Sequence, residues 1–539
     1  MKNMKKLFGN TGNEKIKRLL DKNPEMVLVH VTDTYFIEES MVDDTVDLPG
    51  FARFYSLVDS IRADPIIQKN KTSVLVLHGG DFLYPSLMST YFDGRQMVDV
   101  LNFCKFDYCT LGNHDFDGGT KSLKANMSDA SFEIICANIK DSKAKGGLKV
   151  LDHVICRDNS NKPFMAMIGI AGEATLRKAR QNGFETVSAE RSVRQIVAQI
   201  QKNHPKINDL VVLSHMDNKE DDALLKCLEK NWNGNAYMLG GHDHNEVLSY
   251  GDENHKSVLL KGQSNCRTVQ VIGISRSEDF KKTNSFQAQV IVMNAAELAG
   301  FPPNPEIQEK VRRWESKLEI HLDEIKSDII IKTFKAGTVL DSTELQLRKG
   351  STNFGNFIAD CILDFTDSDI ALINSGHFRG DRKIGNVLKR SDMHRIFVLD
   401  KKETLVKITM TAKECMEFLK HAYSEEGRGK ILQMSKNTLK ILQKSKPEDE
   451  LSVAMLWDML KTNDDGFTTI LSKSRNTAVD GITSRLKKHV IPDSSLFDVV
   501  EKSSKKVEYD PSVRVSVKKF ADFSHNLKAT KKSRSSIYR

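Results

Sequence analysis

Side chains with metal-binding chemistry follow short apolar runs in this sequence. The runs are MVLVHV (26–31), SVLVLH (73–78), FDYCTL (106–111), LVVLSH (210–215) and AYMLGG (236–241). The polar residues that follow or end these runs are Asp33, Asp81, Asn113, His114, His215, His242 and His244. Carboxylate oxygens, an amide oxygen and imidazole nitrogens together suit Zn²⁺, Mn²⁺ or iron. The pattern therefore predicts a metal centre.

The apolar runs are interpreted as buried strands. Each run is too short for a helix core and is rich in Val, Leu and Ile. Together with FMAMIGI (164–170) and the helix-like stretches between them, they predict a layered α/β domain. Ligands of open α/β sheets bind outside the carboxyl ends of the strands, so we expect the polar residues to converge on one rim.

Each of these residues also has an ordinary structural explanation when it is considered alone. An Asp after a strand often caps a turn, and a histidine such as His215 is often a hydrogen-bonded interior residue. The stretch Gly241-His242-Asp243-His244 could be a polar turn. The joint order of these motifs on successive strands favours the metal centre.

The order of motifs resembles that of the calcineurin-like metallophosphoesterases. With the second half of the chain included, it is similar to the 5′-nucleotidase family, in its intracellular branch without a secretion signal. The resemblance covers roughly residues 26–500. Further matching segments are Pro85–Ser89, Ala137–Ile139, Lys261–Gly262, Thr352–Asn356, Asn374–Arg379 and Asp464–Phe467. It implies a layered metallophosphoesterase β-sandwich flanked by helices, followed by an α+β domain of the 5′-nucleotidase C-terminal type.

The resemblance also implies two divalent metal ions, of zinc, manganese or iron, and assigns their ligands. Asp81 would bridge both ions, Asn113, His215 and His242 would complete one site, and Asp33 and His244 would complete the other. Two cations roughly 3.5–4 Å apart activate water and clamp a phosphoryl group. His114 would not bind metal: oriented by Asp117, it would stabilise charge on the phosphate or the leaving oxygen.

The first motif departs from the family pattern. The usual Asp-x-His reads Asp33-Thr34-Tyr35 here, so one metal site lacks an imidazole. A phenol ionises near pH ~10, so it binds well only beside a strongly Lewis-acidic ion. Three interpretations are open: water fills the position, Tyr35 binds the metal, or the enzyme is crippled. Tyr84 is placed like the iron-binding Tyr of purple acid phosphatases, but it is interpreted as a packed loop residue.

The sequence divides into predicted segments. An N-terminal extension (1–25) precedes a catalytic domain (26–300), and Ile307, Val311, Trp314, Leu318 and Leu322 recur at helical spacing in a linker (301–326). A substrate domain (327–499) has strand-like runs at 369–375 and 404–410 and helix-like runs at 353–365 and 412–424. A basic tail (500–539) ends the chain, and we interpret it as flexible.

Substrate contacts in the second domain are implied only by the resemblance. Asn374, Arg379 and Phe467 match substrate-binding positions, and a guanidinium fork suits phosphate. Arg379 could equally form an ion pair, and Phe467 could be a core residue. The second base-stacking aromatic of the family falls at Leu399, and an arginine of the family falls at Gly350. Nucleotide selectivity is therefore less strongly implied than hydrolysis of a phosphate ester.

Composition limits the classes of protein that fit. Of the 539 residues, 39% are hydrophobic and 28% charged, and the net charge of +8 does not argue for nucleic-acid binding. The start of the sequence lacks the apolar core of a signal peptide, and no stretch is long enough to span a bilayer. The eight cysteines form no Cys-x-x-Cys motif, so a cytoplasmic protein with reduced thiols is expected.

Three functional hypotheses follow. The leading one is a metal-dependent phosphomonoesterase that acts on a small phosphorylated substrate, with nucleoside 5′-monophosphates tested first. The second keeps this chemistry with a sugar phosphate or phosphoglycerate, motivated by Leu399 and Gly350. The third is a pseudophosphatase scaffold, motivated by Tyr35 and by the basic tail, which could contact an acidic partner.

Overall fold

The computed structural model describes residues 4–6, 11–42, 45–141, 147–157, 161–250, 257–276, 286–324, 328–397, 404–424, 429–461, 466–510 and 520. The chain forms two compact units, Met1–Glu319 and Ile320–Arg539. The helix predicted in the linker spans Pro305–Glu324, so the division falls within it.

The first unit is built from short strands that alternate with helices. In chain order its strands are β1 (Met4–Lys6), β2 (Met26–Val31), β3 (Ser40–Val42), β4 (Thr45–Leu48), β5 (Ser73–His78), β6 (Tyr108–Cys109), β7 (Glu133–Ile135), β8 (Ile139–Lys140), β9 (Val150–Leu151), β10 (His153–Arg157), β11 (Pro163–Ala171), β12 (Glu185–Thr186), β13 (Asp209–His215), β14 (Asn235–Gly241), β15 (Val247–Tyr250), β16 (Ser257–Lys261), β17 (Thr268–Arg276) and β18 (Phe286–Asn294). Its helices are α1 (Gly12–Leu20), α2 (Gly50–Ala63), α3 (Pro65–Asn70), α4 (Leu87–Phe92), α5 (Arg95–Phe103), α6 (Gly119–Asp129), α7 (Glu173–Gln181), α8 (Ala189–Asn203), α9 (Asn218–Asn231), α10 (Ala295–Leu298) and α11 (Pro305–Glu324), with a 3-10 turn at His114–Phe116.

Two sheets form a sandwich in this unit. One has the order β1-β18-β17-β2-β5-β6-β7-β9 and the other β10-β11-β13-β14-β16-β15. Strands β2, β5, β6, β7 and β9 are mutually parallel, and so are β11, β13, β14 and β16. Because neighbouring parallel strands end at the same edge, each sheet presents a row of carboxyl-terminal loops. The predicted layered β-sandwich is confirmed.

The strands read as continuous apolar runs because both of their faces are buried. In β2, Leu28 faces the core between the sheets, where it joins Met165 and Val211 of the other sheet. Its neighbours Val27 and Val29 point the other way and are fully buried. Helices α8 and α9 cover the outer face of the second sheet. This layering leaves the strand-end loops as the place for polar chemistry.

Strand β6 is shorter than the predicted run 106–111. It pairs with β5 only at Tyr108 and Cys109, after which the chain turns away. The turn brings the backbone N–H of Gly112 to a buried carboxylate, that of Asp115, at 2.8 Å. The residues of the predicted run that follow Cys109 therefore belong to the loop that carries Asn113 and His114 and not to the strand.

The N-terminal segment predicted as an extension packs on the first unit. Strand β1 pairs with β18, and Thr11 caps α1. Helix α1 buries Ile16, Leu19 and Leu20, and the Leu19 side chain lies against the backbone of Gly273 in β17. These contacts are those of a structural element of the sandwich.

The second unit has an antiparallel-rich sheet flanked by helices, which confirms the predicted α+β domain. Its strands are β19 (Ile330–Thr333), β20 (Leu340–Asp341), β21 (Ile370–Asn374), β22 (Lys383–Ile384), β23 (Val387–Lys389), β24 (Thr404–Thr411), β25 (Leu432–Met434), β26 (Glu450–Leu456) and β27 (Val490–Ser495). Its helices are α12 (Glu344–Leu347), α13 (Asn353–Thr366), α14 (Arg390–Ile396), α15 (Ala412–Tyr423), α16 (Thr438–Lys444), α17 (Asp458–Lys461), α18 (Phe467–Ser474), α19 (Val479–Leu486) and α20 (Leu496–Ser503), with 3-10 turns at Ser375–His377 and Lys487–His489. The main sheet has the order β25-β21-β26-β24-β27.

Part of the predicted basic tail belongs to this second unit. Helix α20 runs past residue 500, and Lys332 donates hydrogen bonds to the carbonyls of Ser504 and Val507. The ring of Tyr509 lies 4.9 Å from that of Phe334. Residues 511–519 and 521–539, which include most of the basic stretch, lie outside the described part of the chain. The idea of a flexible tail from residue 500 is therefore wrong for residues 500–510.

The sequence predicted reduced cysteine thiols and no stretch long enough to span a bilayer. All eight cysteines are buried as free thiols. Among the described residues, no helix has the length and apolarity that crossing a membrane requires.

Replacing Leu19 by Ala tests whether α1 is part of the sandwich. Leu19 is 1% exposed, so we expect the free energy of unfolding of the first unit to fall by about 2–5 kcal/mol. Urea unfolding with and without the substitution measures this change. The control is Lys17→Ala, which alters an exposed residue of the same helix. Equal stabilities of the two variants would show that α1 contributes nothing to the fold.

Candidate metal centre

The carboxyl-terminal loops of the two sheets meet and exchange hydrogen bonds. His215, the last residue of β13, shares a hydrogen bond through Nδ1 with the carbonyl of Gly79, after β5, at 2.7 Å. The backbone N–H of His242, after β14, donates to Asp33 Oδ2, after β2, at 3.0 Å. These contacts bring strand ends from both sheets to one rim, as the sequence predicts.

Asp33, Tyr35 and His244 form one group of close polar atoms. Asp33 Oδ1 lies 3.2 Å from His244 Nε2 and 3.2 Å from the Tyr35 hydroxyl. The Tyr35 hydroxyl lies 2.7 Å from His244 Nε2. The other oxygen of Asp33, Oδ2, accepts a hydrogen bond from Thr32 at 2.6 Å, which leaves Oδ1 directed at this group.

Asp81, His215 and His242 form the second group. One ligand atom from each of these residues lies within 4.8 Å of the others. Asp81 Oδ2 is 3.2 Å from His215 Nε2 and 3.5 Å from the Tyr35 hydroxyl, so this oxygen lies between the two groups. Its partner Oδ1 accepts a hydrogen bond from the backbone N–H of His114 at 2.7 Å.

The backbone at these positions is unusual. Asp33, Asp81, His242 and His244 have φ values of 52°, 57°, 84° and 57°. Non-glycine residues adopt this left-handed region at a cost, Asn, Asp and His more readily than others, and such strained residues cluster at functional sites. Gly80 adds a φ of 91°, and a Cβ there would lie 2.6 Å from His215 Nδ1, so only glycine fits. The loops are thus held in a conformation that the local sequence does not favour.

Asp115, to which the sequence analysis assigned no role, holds two of these loops together. Its carboxylate accepts hydrogen bonds from the backbone N–H groups of Asp81, Phe82 and Leu83 at 2.9–3.0 Å, and from Gly112 at 2.8 Å. Burial and the charge of Asp81 raise the pKa of Asp115 to about 7. The position next to His114 is the only signal that the sequence offered for this residue.

Lys261 ties together the loops that carry the histidines. Its ammonium donates to the carbonyl of Met216 at 2.8 Å, to Asp221 at 2.8 Å and to Asp243 at 2.9 Å. The side chain of Lys261 is 1% exposed, so this buried charge has its donors satisfied by two carboxylates and a carbonyl. Asp243 lies between His242 and His244, and Met216 follows His215. The cluster therefore positions both loops.

A third interior residue, His78, braces the loop of Asp33. Its Nδ1 accepts a hydrogen bond from the backbone N–H of Gly80 at 3.1 Å, and its Nε2 lies 2.8 Å from the hydroxyl of Thr34. Burial lowers the pKa of His78 to about 3, so the ring is neutral at physiological pH. The ring connects the loop after β2 to the loop after β5.

The predicted pair of His114 and Asp117 forms in the structure. His114 Nδ1 lies 2.6 Å from Asp117 Oδ2. The other carboxylate oxygen, Oδ1, accepts a hydrogen bond from Lys178 on α7 at 2.9 Å. The Asp117 carboxylate therefore engages the Nδ1 edge of the imidazole, and Nε2 lies on the opposite edge of the ring. This geometry suits a ring that is held for catalysis rather than one that binds metal through Nδ1.

Strong electrostatic coupling marks the two groups. Burial would raise the pKa of Asp81, but the charges of His215 and His114 outweigh it and lower that pKa to about 2. Burial would lower the pKa of His215, but Asp81 and Asp33 outweigh it and raise that pKa to about 10. Burial would also raise the pKa of Asp33, yet His244 and His215 hold it well below its usual value. Two buried carboxylates are thus kept ionised by positive charge.

The donor set fits metal ions. Asn113 Oδ1 is buried and lacks a hydrogen-bond partner among the described atoms, and His215 Nε2 is buried against the Asp81 carboxylate at 3.2 Å. A buried polar atom without a partner is costly, and coordination of a cation satisfies it. Two carboxylates, an amide oxygen and three imidazoles are ligand types of zinc, manganese and iron, and the Tyr35 phenol adds a donor suited to a strongly Lewis-acidic ion. Within the described residues, the site therefore has the chemistry of a cation-binding centre.

The three candidates of the second unit differ in their surroundings. Asn374 ends β21, and its Oδ1 contacts His377 Nδ1. Arg379 is half-buried, with its backbone N–H on the carbonyl of Ile396 at 2.7 Å. Phe467 is fully buried, and its ring centroid lies 4.9 Å from that of Phe418. These contacts are those of a core residue, so they weigh against base stacking on Phe467, while Leu399 lies outside the described residues.

Comparisons with known proteins agree with this architecture. Residues 26–246 match the family model of the calcineurin-like phosphoesterases, and residues 331–476 match that of the 5′-nucleotidase C-terminal domain. A solved structure of a 5′-nucleotidase precursor from Thermus thermophilus superimposes with a TM-score of 0.65, covering 91% of this chain and 99% of that one. At 19% identity, this likeness shows the fold alone.

Curated relatives carry similar names. The human 5′-nucleotidase is 23% identical over 452 residues, which is 76% of this chain and 74% of that protein. A probable 5′-nucleotidase of Treponema pallidum is 27% identical over 206 residues, 35% of this chain, and the match spans only 32% of that relative's length. Because both domain models match in order along the chain, this chain belongs to the calcineurin-like phosphoesterases that carry a 5′-nucleotidase C-terminal domain.

Proposed function

We propose that this protein is a metal-dependent phosphomonoesterase that hydrolyses nucleoside 5′-monophosphates. The observation that carries the proposal is the shared position of Asp81 Oδ2, 3.2 Å from His215 Nε2 and 3.5 Å from the Tyr35 hydroxyl. A carboxylate oxygen between two donor groups is suited to bridge two cations. The names of the relatives support a nucleoside monophosphate as the substrate class.

The ligands fall into two sets in this proposal. Asn113, His215 and His242 would hold one ion, Asp33, Tyr35 and His244 would hold the other, and Asp81 would contribute to both sets. When bound, the ions supply Lewis acidity that activates water and stabilises charge on the phosphoryl oxygens. The Asp115 carboxylate and the Lys261 ammonium keep the loops in place, so that the ligands are preorganised before metal arrives.

His114 acts on the substrate rather than on the metal in this proposal. Asp117 Oδ2 holds Nδ1 of the ring. In the complex with substrate, Nε2 would donate a hydrogen bond to an oxygen on which negative charge grows. Preorganised donors of this kind act on the transition state more than on the bound substrate. The substrate-binding roles of Asn374, Arg379 and Phe467, and the cytoplasmic location, stay predictions.

Tyr35 takes the place of an imidazole ligand in this proposal. Its hydroxyl lies within 2.7–3.5 Å of His244 Nε2, Asp33 Oδ1 and Asp81 Oδ2. Donor atoms that surround one ion are separated by similar distances, because metal–ligand bonds of about 2.0–2.2 Å place neighbouring ligands roughly 3 Å apart. The geometry therefore favours a phenol ligand over a crippled site.

The proposed roles of Asp81 and His114 are distinguished by measuring metal content and turnover in two variants. After chelation and reloading with manganese or zinc, the full chain is assayed for phosphate release from nucleoside 5′-monophosphates, glucose 6-phosphate and 3-phosphoglycerate. We expect Asp81→Asn to lose bound metal, whereas His114→Ala keeps its metal and loses roughly 100-fold or more in kcat. Elemental analysis measures metal per chain.

The matched control is Asp129→Asn, which changes an exposed carboxylate at the end of α6. Preference for a sugar phosphate or phosphoglycerate would replace the nucleotide assignment with the second hypothesis. Fully metal-loaded wild-type protein that hydrolyses no member of the panel would reject the phosphatase assignment in favour of a binding module.

Removal of the Tyr35 hydroxyl tests its role as a ligand. We expect Tyr35→Phe to weaken one of the two metal sites by about 10-fold or more, the scale on which changes around a metal act. Titration with metal followed by elemental analysis measures this loss. With ferric iron, the wild type should also show a visible phenolate-to-iron charge-transfer band that the variant lacks. The control is Tyr84→Phe, whose hydroxyl contacts Ser122 instead. Unchanged affinity and spectrum in Tyr35→Phe would mean that water fills the position.

Proton release tests whether His215 binds metal through Nε2. With a pKa of about 10 in the metal-free protein, His215 is protonated at pH 7.5, and only the neutral ring can bind a cation. We therefore expect metal binding to release a proton and the apparent affinity to rise with pH, by up to about 10-fold per unit, until the pKa is passed. Calorimetry in buffers of different ionisation enthalpy measures the release, and His114→Ala should retain it. A binding enthalpy independent of buffer would exclude this assignment.

A further inference from the structure

Lys178 completes a chain of three hydrogen-bonded side chains with His114 and Asp117. Asp117 has one oxygen 2.6 Å from His114 Nδ1 and the other 2.9 Å from Lys178 Nζ. The side chains of His114, Asp117 and Lys178 are 14%, 13% and 37% exposed. Both carboxylate oxygens are therefore engaged in a partly buried position, where a hydrogen bond between charged groups is stronger than at the surface.

The helix that carries Lys178 is anchored at its beginning. Helix α7 starts after β11, where the backbone N–H of Gly172 donates to the carbonyl of the candidate ligand His215 at 2.8 Å. The N–H of Glu173 donates to Glu220 Oε1 at 2.8 Å. These bonds tie the start of α7 to the strand that ends in His215 and to helix α9.

The helix is anchored again beyond its last turn. Thr120, at the start of α6, donates its hydroxyl hydrogen to the carbonyl of Asn182 at 2.7 Å. The ring of Phe184 packs edge-on against that of Phe116, with centroids 5.5 Å apart. The segment around Lys178 is thereby fastened to the loop that bears His114 and Asp117. The contact between Lys178 and Asp117 is built by the fold and does not depend on a chance meeting of flexible side chains.

The charges agree with this arrangement. Burial would raise the pKa of Asp117, but the charges and hydrogen bonds of His114 and Lys178 outweigh it and hold that pKa below its usual value. A carboxylate with both oxygens held cannot rotate about its Cβ–Cγ bond without breaking one of these bonds. Lys178 therefore restricts the direction in which Asp117 Oδ2 holds the imidazole.

We propose that Lys178 is a positioning residue for the hydrolysis of phosphate esters, acting through Asp117 on the orientation of His114. This inference rests on the proposed function. When Lys178 is present, Asp117 fixes the ring so that Nε2 donates a hydrogen bond to the leaving oxygen, where negative charge grows as the P–O bond breaks. The benefit depends on how much charge the leaving group develops, so it is large for an alkyl oxygen and small for a phenolate stabilised by a nitro group.

The dependence on the leaving group separates this role from that of a stabilising ion pair, whose loss would affect both substrates alike. For Lys178→Met we expect kcat with a nucleoside 5′-monophosphate to fall roughly 10-fold or more, while kcat with p-nitrophenyl phosphate falls less than about 2-fold and KM changes little with either substrate. Lys178→Arg, which keeps a cation, should recover most of the loss. Lys226→Met, which alters an exposed lysine on α9, is the control.

Activity-independent readouts complete the experiment. Metal content and the thermal unfolding midpoint of Lys178→Met should match those of the wild type. With ¹⁵N-labelled histidine, and the signal assigned through His114→Ala, the Nδ1–H resonance of His114 should weaken in Lys178→Met and return in Lys178→Arg. If Lys178→Met does not fold, the same comparison is made with Lys178→Gln, which keeps a hydrogen-bond donor but removes the charge and should show an intermediate loss.

The outcomes distinguish this inference from the proposed function. An equal loss with both substrates, or no loss, in a protein whose wild type is active would overturn the role of Lys178 and leave the phosphatase assignment intact. A wild type inactive on both substrates would overturn the proposed function. In that case the histidine resonance still decides whether Lys178 orients His114, and an unchanged resonance would reject it.

Discussion

The central constraint in this structure is the burial of two ionised carboxylates, Asp33 and Asp81, where the ends of two sheets meet. Isolated buried charge is expensive, and here the surroundings offset that cost with imidazoles and backbone N–H groups. His215 lies within 3.2–4.0 Å of both carboxylates. Cations bound at the same place would replace the proton that His215 carries. The loops, the glycines and the interior lysine are arranged around this concentration of charge.

Support for that charge extends well beyond the ligands themselves. Asp115 gathers backbone N–H groups from the Asp81 loop, and Lys261 joins the loops of His215 and His242. Positive φ angles at four candidate ligands show that these loops depart from locally preferred conformations. The sandwich tolerates this strain because its apolar core is buried on both faces of the strands. Stability of the core and geometry of the site are thereby coupled.

Helix α7 connects the candidate metal ligands to the residues proposed to act in catalysis. Its start bonds to the strand of His215, and the segment beyond its end bonds to the loop of His114. Helix α7 and the segment that follows it thus link the candidate ligands to the candidate catalytic pair. Substitution of Tyr for His at residue 35 changes the chemistry of one donor while it keeps a polar atom in the same group. Family membership alone does not define the substrate of such a site.

The sequence by itself determined the strands with apolar runs and the polar residues at their ends. A strand that is buried on both faces needs a continuous apolar run, and such a run can be recognised without knowledge of the fold. The order of motifs from Asp33 to His244 and the helix from Pro305 were predictable for this reason. It did not show β15 to β18 or the packed segment around Tyr509, and it left open whether Phe467 is a core residue or a substrate-binding residue. Nor did it show that Lys178 meets Asp117 or that Lys261 meets Asp221, contacts that join residues 61 and 40 positions apart. Only the tertiary structure decided those contacts, because the partners of these buried charges come from distant positions in the chain. The free-energy cost of burying a charge depends on which partners folding brings to it.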